Sequence, residues 1–211
     1  MAAAVIDLYC ERTAPGLLNE PLNALSNLGF LCAAALAWRA AAARGGDVRL
    51  LAALLAAIGI GSGLFHTWAT AWAQWLDVLP ILVFQLAFLA LYLARVAQLP
   101  PAPVAAVVGT FLLVVVGAAQ ARAALNGSLG YLPALLVLGW LGHHAWRTAR
   151  EPRIAAASGL FLLALTARSV DNALCAAWPH GTHFAWHLLN AAVLYLAITG
   201  YAAQRARVAP A

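Results

Sequence analysis

The sequence predicts an all-α, polytopic membrane protein with seven transmembrane helices, its N-terminus outside and its C-terminus cytoplasmic. Three observations predict it. Of 211 residues only 9% are charged and 64% are hydrophobic, whereas a soluble domain needs roughly 25% charged residues to cover its surface. Charge-free stretches from Pro21 to Trp38, Val96 to Ala121 and Asn172 to Gln204 reach or exceed the ~18 residues that mark a spanning helix. The twelve basic residues, all of them Arg, are distributed between alternate connections with a strong bias to one side.

Taken in order, residues 1–20 form an outer N-terminal segment. Met1 to Ile6 is too short for a secretory signal and lacks a basic start, so the first span is expected to direct insertion. That span is read at 21–38, entered through Pro21. The second is read at 50–67, after Arg49, and the third at 76–94, opening beside Asp77 and closing at Arg95. Prolines at 100, 101 and 103 introduce the fourth, at 102–120. The Asn126-Gly127-Ser128 turn signal separates it from the fifth, at 129–146. The sixth follows Arg153 at 154–174, the seventh runs over 183–203, and 205–211 is a cytoplasmic tail. One membrane domain, 1–211 with its bundle at 21–204, accounts for the chain.

An N-out orientation places Arg39, Arg44, Arg49, Arg95, Arg147, Arg150, Arg153, Arg205 and Arg207 inside, and only Arg12, Arg122 and Arg168 outside. Trp38, Trp68, Trp72, Trp75, Trp146 and Trp178 flank the spans as an aromatic belt does. The net charge of +5 does not point to nucleic acid, because the arginines are scattered singly rather than gathered into a patch. Arg without Lys in an Ala-rich chain is a composition associated with GC-rich bacterial genomes, so a bacterial inner membrane is the expected location. No internal repeat of the kind found in inverted-repeat transporters is visible.

A charge inside lipid costs roughly 2.5 to 3.5 kcal/mol on insertion scales, so intramembrane polar groups need a partner or a task. His66 ends the second span with Ser62 four residues earlier, on the same helical face. Asp77 opens the third span at the same membrane face. His183 and His187 begin the seventh, four apart, the spacing by which a helix presents two imidazoles to one metal; His66 is a candidate third ligand. Singly, each has a bland explanation: Ser62 bonding its own backbone, Asp77 favouring a helix N-terminus, a histidine resting at the interface. His143, His144 and His180 keep that interfacial reading. Ser62, His66, Asp77, His183 and His187 nevertheless fall at the outer ends of three helices under a topology read from arginines alone, which favours one site near the outer face.

Arg168 and Asp171, three apart, suit an intrahelical ion pair. Asn23, Ser26, Asn27 and Asn190 are placed for interhelical hydrogen bonds or, alternatively, for supporting the ligands of a metal. Cys32 lies in the first span as a small apolar residue. Cys10 and Cys175 both map to the outer face, where an oxidising compartment permits a disulfide between them.

Three blocks carry a resemblance: Glu20-x-x-Asn23-x-x-Ser26-Asn27; Gly61-Ser62-x-x-Phe65-His66 followed by Asp77-x-x-Pro80; and Arg168-x-x-Asp171-x-x-x-Cys175 followed by His183-x-x-Trp186-His187. In order and spacing the chain resembles the alkaline ceramidases, within a superfamily of seven-helix membrane hydrolases that also holds adiponectin/progestin-type receptors and lipid-remodelling proteins of GPI anchors. The resemblance implies zinc on His66, His183 and His187, with Ser62 and Asp77 assisting cleavage of a lipid amide. It implies a Cys10–Cys175 pair, and an outer calcium site with Glu11, Glu20 and the nearby Asp7. The chain departs from the pattern at Leu8, where an acid is expected, at Tyr9 in place of Trp, and at Thr13 in place of Asn.

Three neutral imidazoles leave zinc an open fourth position for a water whose pKa falls toward ~7. Asp77 is then placed to carry the proton to the leaving amine, and Ser62 to donate a hydrogen bond to the developing oxyanion, worth ~2.7 to 4 kcal/mol. The expected activity is hydrolysis of ceramide or a related N-acyl lipid, the partner being that lipid and its bilayer. A lipid esterase or receptor-like member of the superfamily, and a proton-coupled transporter or channel, are the competing readings.

Overall fold

A computed structural model of the protein describes residues 5–40, 45–121 and 124–208. Arg44 and Arg122, used for the orientation, lie outside the described residues. Among the described residues there is no strand, and seven helical stretches are long and apolar enough to cross a membrane: Pro21–Ala40, Gly46–Trp68, Ala71–Arg95, Pro101–Ala118, Leu125–Ala149, Arg153–Leu174 and His183–Val208.

The first of these is two helices. α1 (Pro21–Ser26) and α2 (Leu28–Ala40) meet at Asn27, and Pro21 begins α1 where its missing N–H costs nothing. The other helices are α3 (Gly46–Trp68), α4 (Ala71–Arg95), α5 (Pro101–Ala118), α6 (Leu132–Ala149), α7 (Arg153–Leu174) and α8 (His183–Val208). Between α5 and α6 the chain turns through Leu125, Asn126 and Gly127 with positive φ, at the turn signal read from the sequence.

Two expected boundaries move by five residues. The seventh span runs on as α8 to Val208 rather than ending at 203, so the start of the expected 205–211 tail is helical, and α4 begins at Ala71 rather than 76, with only two residues between it and the end of α3. Asp77 therefore sits in the second turn of α4. A charge is expected to end an apolar run, yet the helix continues outward past Asp77 through Trp72 and Trp75, which stay exposed.

α8 lies at the centre, packed on α7 and α2, with α3 against α4 and α2, while α5 is peripheral and buries only Phe111. Leu51, Leu55, Ile58, Tyr92, Leu93, Ile154, Ile198 and Tyr201 fill the interior. Lipid chains are as apolar as these side chains, so close packing rather than escape from water selects this arrangement. Gly61 shows how tightly it is set. A Cβ there would lie 1.9 Å from the carbonyl oxygen of Leu76, so only glycine lets α3 and the start of α4 approach closely enough to bring Ser62 beside Asp77.

Candidate metal centre

His66 comes from the last turns of α3, and His183 and His187 from the first turns of α8. Their rings meet at one end of the bundle, with centroids 4.6 to 5.2 Å apart. Each offers a ligand atom within 4.8 Å of the others. All three are buried, at 0 to 1% exposure, which removes the interfacial reading for them. No other group of three or more His, Cys, Asp or Glu with such spacing occurs among the described residues.

Neighbouring groups fix the ring nitrogens. His66 Nδ1 faces Glu20 Oε2 at 2.5 Å; a carboxylate only accepts, so Nδ1 carries the hydrogen and Nε2 keeps its lone pair. That Nε2 is buried without a partner. For His187 on α8 the partner is Ser26 of α1, which donates its single hydroxyl hydrogen to the Asn23 carbonyl at 2.8 Å. Its oxygen is therefore left to accept from His187 Nδ1, 2.7 Å away, and His187 Nε2 is the free acceptor. His183 Nδ1 is likewise buried and unpartnered, with its ring stacked on Tyr9 at 3.5 Å between centroids. Three neutral imidazoles with unused nitrogens facing one another, two of them oriented by hydrogen bonds, are a donor set suited to a divalent transition metal.

Beside the histidines, the Ser62 hydroxyl and the Asp77 carboxylate are neighbours, and His66 and Arg168 lie within electrostatic reach of that carboxylate.

The N-terminal segment closes the site from outside the bundle. Cys10 and Cys175 form the expected disulfide, their Cα atoms 5.4 Å apart. Tyr9 covers His183, and burial pushes its phenol well above the ordinary value while the Arg168 charge opposes the shift. Arg168 Nη1 donates to the Tyr9 hydroxyl at 2.9 Å, and its guanidinium lies over the rings of Tyr9, Tyr131 and Trp186 at 5.4 to 5.5 Å.

The expected Arg168–Asp171 ion pair is not formed. Asp171 instead accepts the backbone N–H groups of Cys10, Thr182 and His183 at 3.0, 2.6 and 2.9 Å. Three amides satisfy the carboxylate at the start of α8, and the aromatic cage holds the cation, so neither needs the other. Gly181 makes this possible: it has φ +61°, and a Cβ would fall 2.2 Å from Asp171 Oδ1.

Nor are Asp7, Glu11 and Glu20 gathered as calcium ligands. Asp7 is exposed. Glu11 accepts the backbone N–H groups of Leu22 and Asn23 at 2.7 and 2.8 Å, where the start of a helix attracts an anion. Glu20 is taken up by Arg12, Asn23 and His66. Burial alone would raise its carboxyl; the contacts with His66, then with Asn23 and Arg12, outweigh burial and leave it below the ordinary carboxylate value.

The remaining polar residues are structural. Asn23, Asn27 and Asn190 make contacts within their own segment, to Glu20, to the Asn23 carbonyl and to the Trp186 carbonyl, not between distant helices. His144 meets Tyr92 far from the centre, while His143 and His180 are exposed. Cys32 is free and exposed on α2.

Ser26 on His187 agrees with its reading as a neighbour of a metal ligand, whereas the carboxylate on His66 and the tyrosine on His183 are missed by the sequence reading. The signals were the block that joins Glu20 to Ser26, and Glu20 and Arg12 as charges with no spanning helix of their own to end.

Fold and site together define a polytopic helical membrane protein with a buried three-histidine centre near one end of its bundle. The family model described as Ceramidase matches residues 9–209, nearly the whole chain, and the chain belongs to the ceramidase family. No curated protein matches it. The family is one of hydrolases acting on the amide bonds of ceramide-like lipids.

Proposed function

We propose that the chain is an intramembrane zinc-dependent amidohydrolase that cleaves ceramide or a related N-acyl lipid to a fatty acid and an amine. The observation that carries this reading is the convergence of unused nitrogens on His66, His183 and His187 beside the Ser62–Asp77 pair. When bound there, zinc supplies Lewis acidity and lowers the pKa of a coordinated water toward ~7.

The chain's own residues do the rest. Asp77 accepts the proton of the attacking water and returns it to the amine as the C–N bond breaks. Ser62 holds the carboxylate in place and, once Asp77 is protonated, can turn its hydroxyl toward the developing oxyanion. Tyr9 and the disulfide-anchored segment keep bulk water from the rings. An apolar cavity lined by Phe30, Phe84, Phe88, Phe161 and Trp186 lies next to the centre, separated from it by Phe30, whose ring is 6.2 Å from that of His187. Its apolar lining suits a lipid chain whose amide would have to pass Phe30 to meet the histidines. The arginine distribution supports an N-out orientation, with the centre toward the outer face of a bacterial inner membrane.

The test is release of fatty acid by detergent-solubilised protein from a panel of N-acyl and O-acyl lipids, with and without a zinc chelator. Chelator-sensitive, zinc-restored release from N-acyl lipids is expected. Release from esters alone would reassign the protein as an esterase. Hydrolysis of neither, with proton flux across vesicles that survives His187→Ala, would favour a transporter.

A further inference from the structure

Arg12 is a cation in a place where cations are expensive, since it is 4% exposed. A buried charge persists when its partner and its geometry satisfy it. Arg12 Nε donates to Glu20 Oε1 at 2.6 Å, Nη1 to the Gly16 carbonyl and Nη2 to the His66 carbonyl, both at 3.2 Å. The other oxygen of Glu20 receives His66 Nδ1. One side chain thus grips the same histidine twice, at its backbone directly and at its ring through a carboxylate.

Holding down the N-terminal segment does not require Arg12. The segment is already tied by the Cys10–Cys175 disulfide, by the Cys10 N–H on Asp171, by the Glu11 contacts to α1 and by Tyr9 stacked on His183. Apart from the bond to the Gly16 carbonyl, the contacts of Arg12 go to Glu20 and to the histidine. Glu20 can aim the imidazole only while both of its oxygens are fixed. Asn23 and His66 share one; Arg12 holds the other.

We propose that Arg12 is a positioning residue of the metal centre, orienting His66 Nε2 through Glu20. The inference rests on the metal-centre reading but not on the lipid cleaved there. Residues that orient a metal-bound histidine from behind typically change metal affinity 10- to 100-fold when removed, by the general range.

The test is zinc affinity of the full-length protein in detergent, measured by competition with a chromophoric chelator, alongside the thermal midpoint of the metal-free form. Arg12→Met and Glu20→Gln should each weaken zinc roughly 10- to 100-fold. The double variant should be little worse than either, because both break one linkage. Arg12→Lys, which keeps the charge but not the fork, should recover part of the loss.

Tyr201→Phe removes a hydrogen bond to Asp47 at the opposite end of the bundle, and should lower the midpoint with affinity unchanged. Unaltered zinc affinity in Arg12→Met, simple addition of the two single effects, or an equal affinity loss in Tyr201→Phe would overturn the proposal. Should Arg12→Met not fold, Arg12→Lys decides between the same outcomes. Wild-type protein that binds no zinc would remove the metal-centre reading itself, a result distinct from wild type and Arg12→Met binding equally well.

Discussion

At one end of the bundle His66, His183 and His187 turn nitrogens toward a common point; at the other, some 30 Å away along helices rising ~1.5 Å per residue, Asp47 accepts from Tyr201 and Arg205. There Glu151 pairs with Arg153, and Tyr92 meets His144 and Gln204. Both ends bury polar groups and both contain a histidine beside an aromatic ring. The difference lies in what remains after the bonds are counted. The charges of the far cluster answer one another and it leaves one amide nitrogen of Gln204 over, whereas the histidine end leaves ring nitrogens over and aims them together. Saturated polarity fastens helices; unsaturated, convergent polarity marks chemistry.

That contrast is broken most severely by His187→Ala. It should abolish metal retention and drop amide hydrolysis to background, measured as metal content and fatty acid released per mole of protein. Asp77→Asn should retain metal yet lower turnover about 10²- to 10⁴-fold, the span general acid–base catalysis supplies; full turnover would remove Asp77 from the mechanism. Gly61→Ala must push the start of α4 away from α3. A loss of about 1 to 3 kcal/mol is expected for such overpacking, read as a lower thermal midpoint with a further fall in turnover as Ser62 leaves Asp77. The smallest effect belongs to the far end. Tyr201→Phe removes one hydrogen bond to Asp47 and should cost about 1 kcal/mol of stability, with metal content and turnover untouched. A turnover defect there would mean that the two ends are coupled.

Most of the architecture could be read in advance because lipid imposes it. Charge-free apolar runs are unambiguous over spans such as 21–38 and 183–203, and spacing alone places His183 and His187 on one face. The start of α4 was misplaced because a charged residue was taken as a boundary, and only the packing of Gly61 on Leu76 shows why Asp77 can lie inside. Arg168 and Asp171 illustrate the other limit. Three residues apart on a helix they look like partners, yet each is claimed by groups distant in the chain, Tyr9 for the one and the Cys10 and Thr182 amides for the other. Local spacing carries no information about such competitors. Glu20 shows the same limit: its bonds to Arg12 and His66 join the N-terminal segment to the end of α3, and no periodicity encodes them.

The joining of Cys10 to Cys175 has a consequence for how the protein is made. The ribosome delivers the tyrosine that covers His183 ahead of all seven spans, but its cysteine neighbour has nothing to bond until the penultimate crossing is threaded, and His183 arrives later still. Residues made before every span are thus among the last to be seated, and a nascent chain halted before α8 exposes the unfinished centre with its cover hanging open.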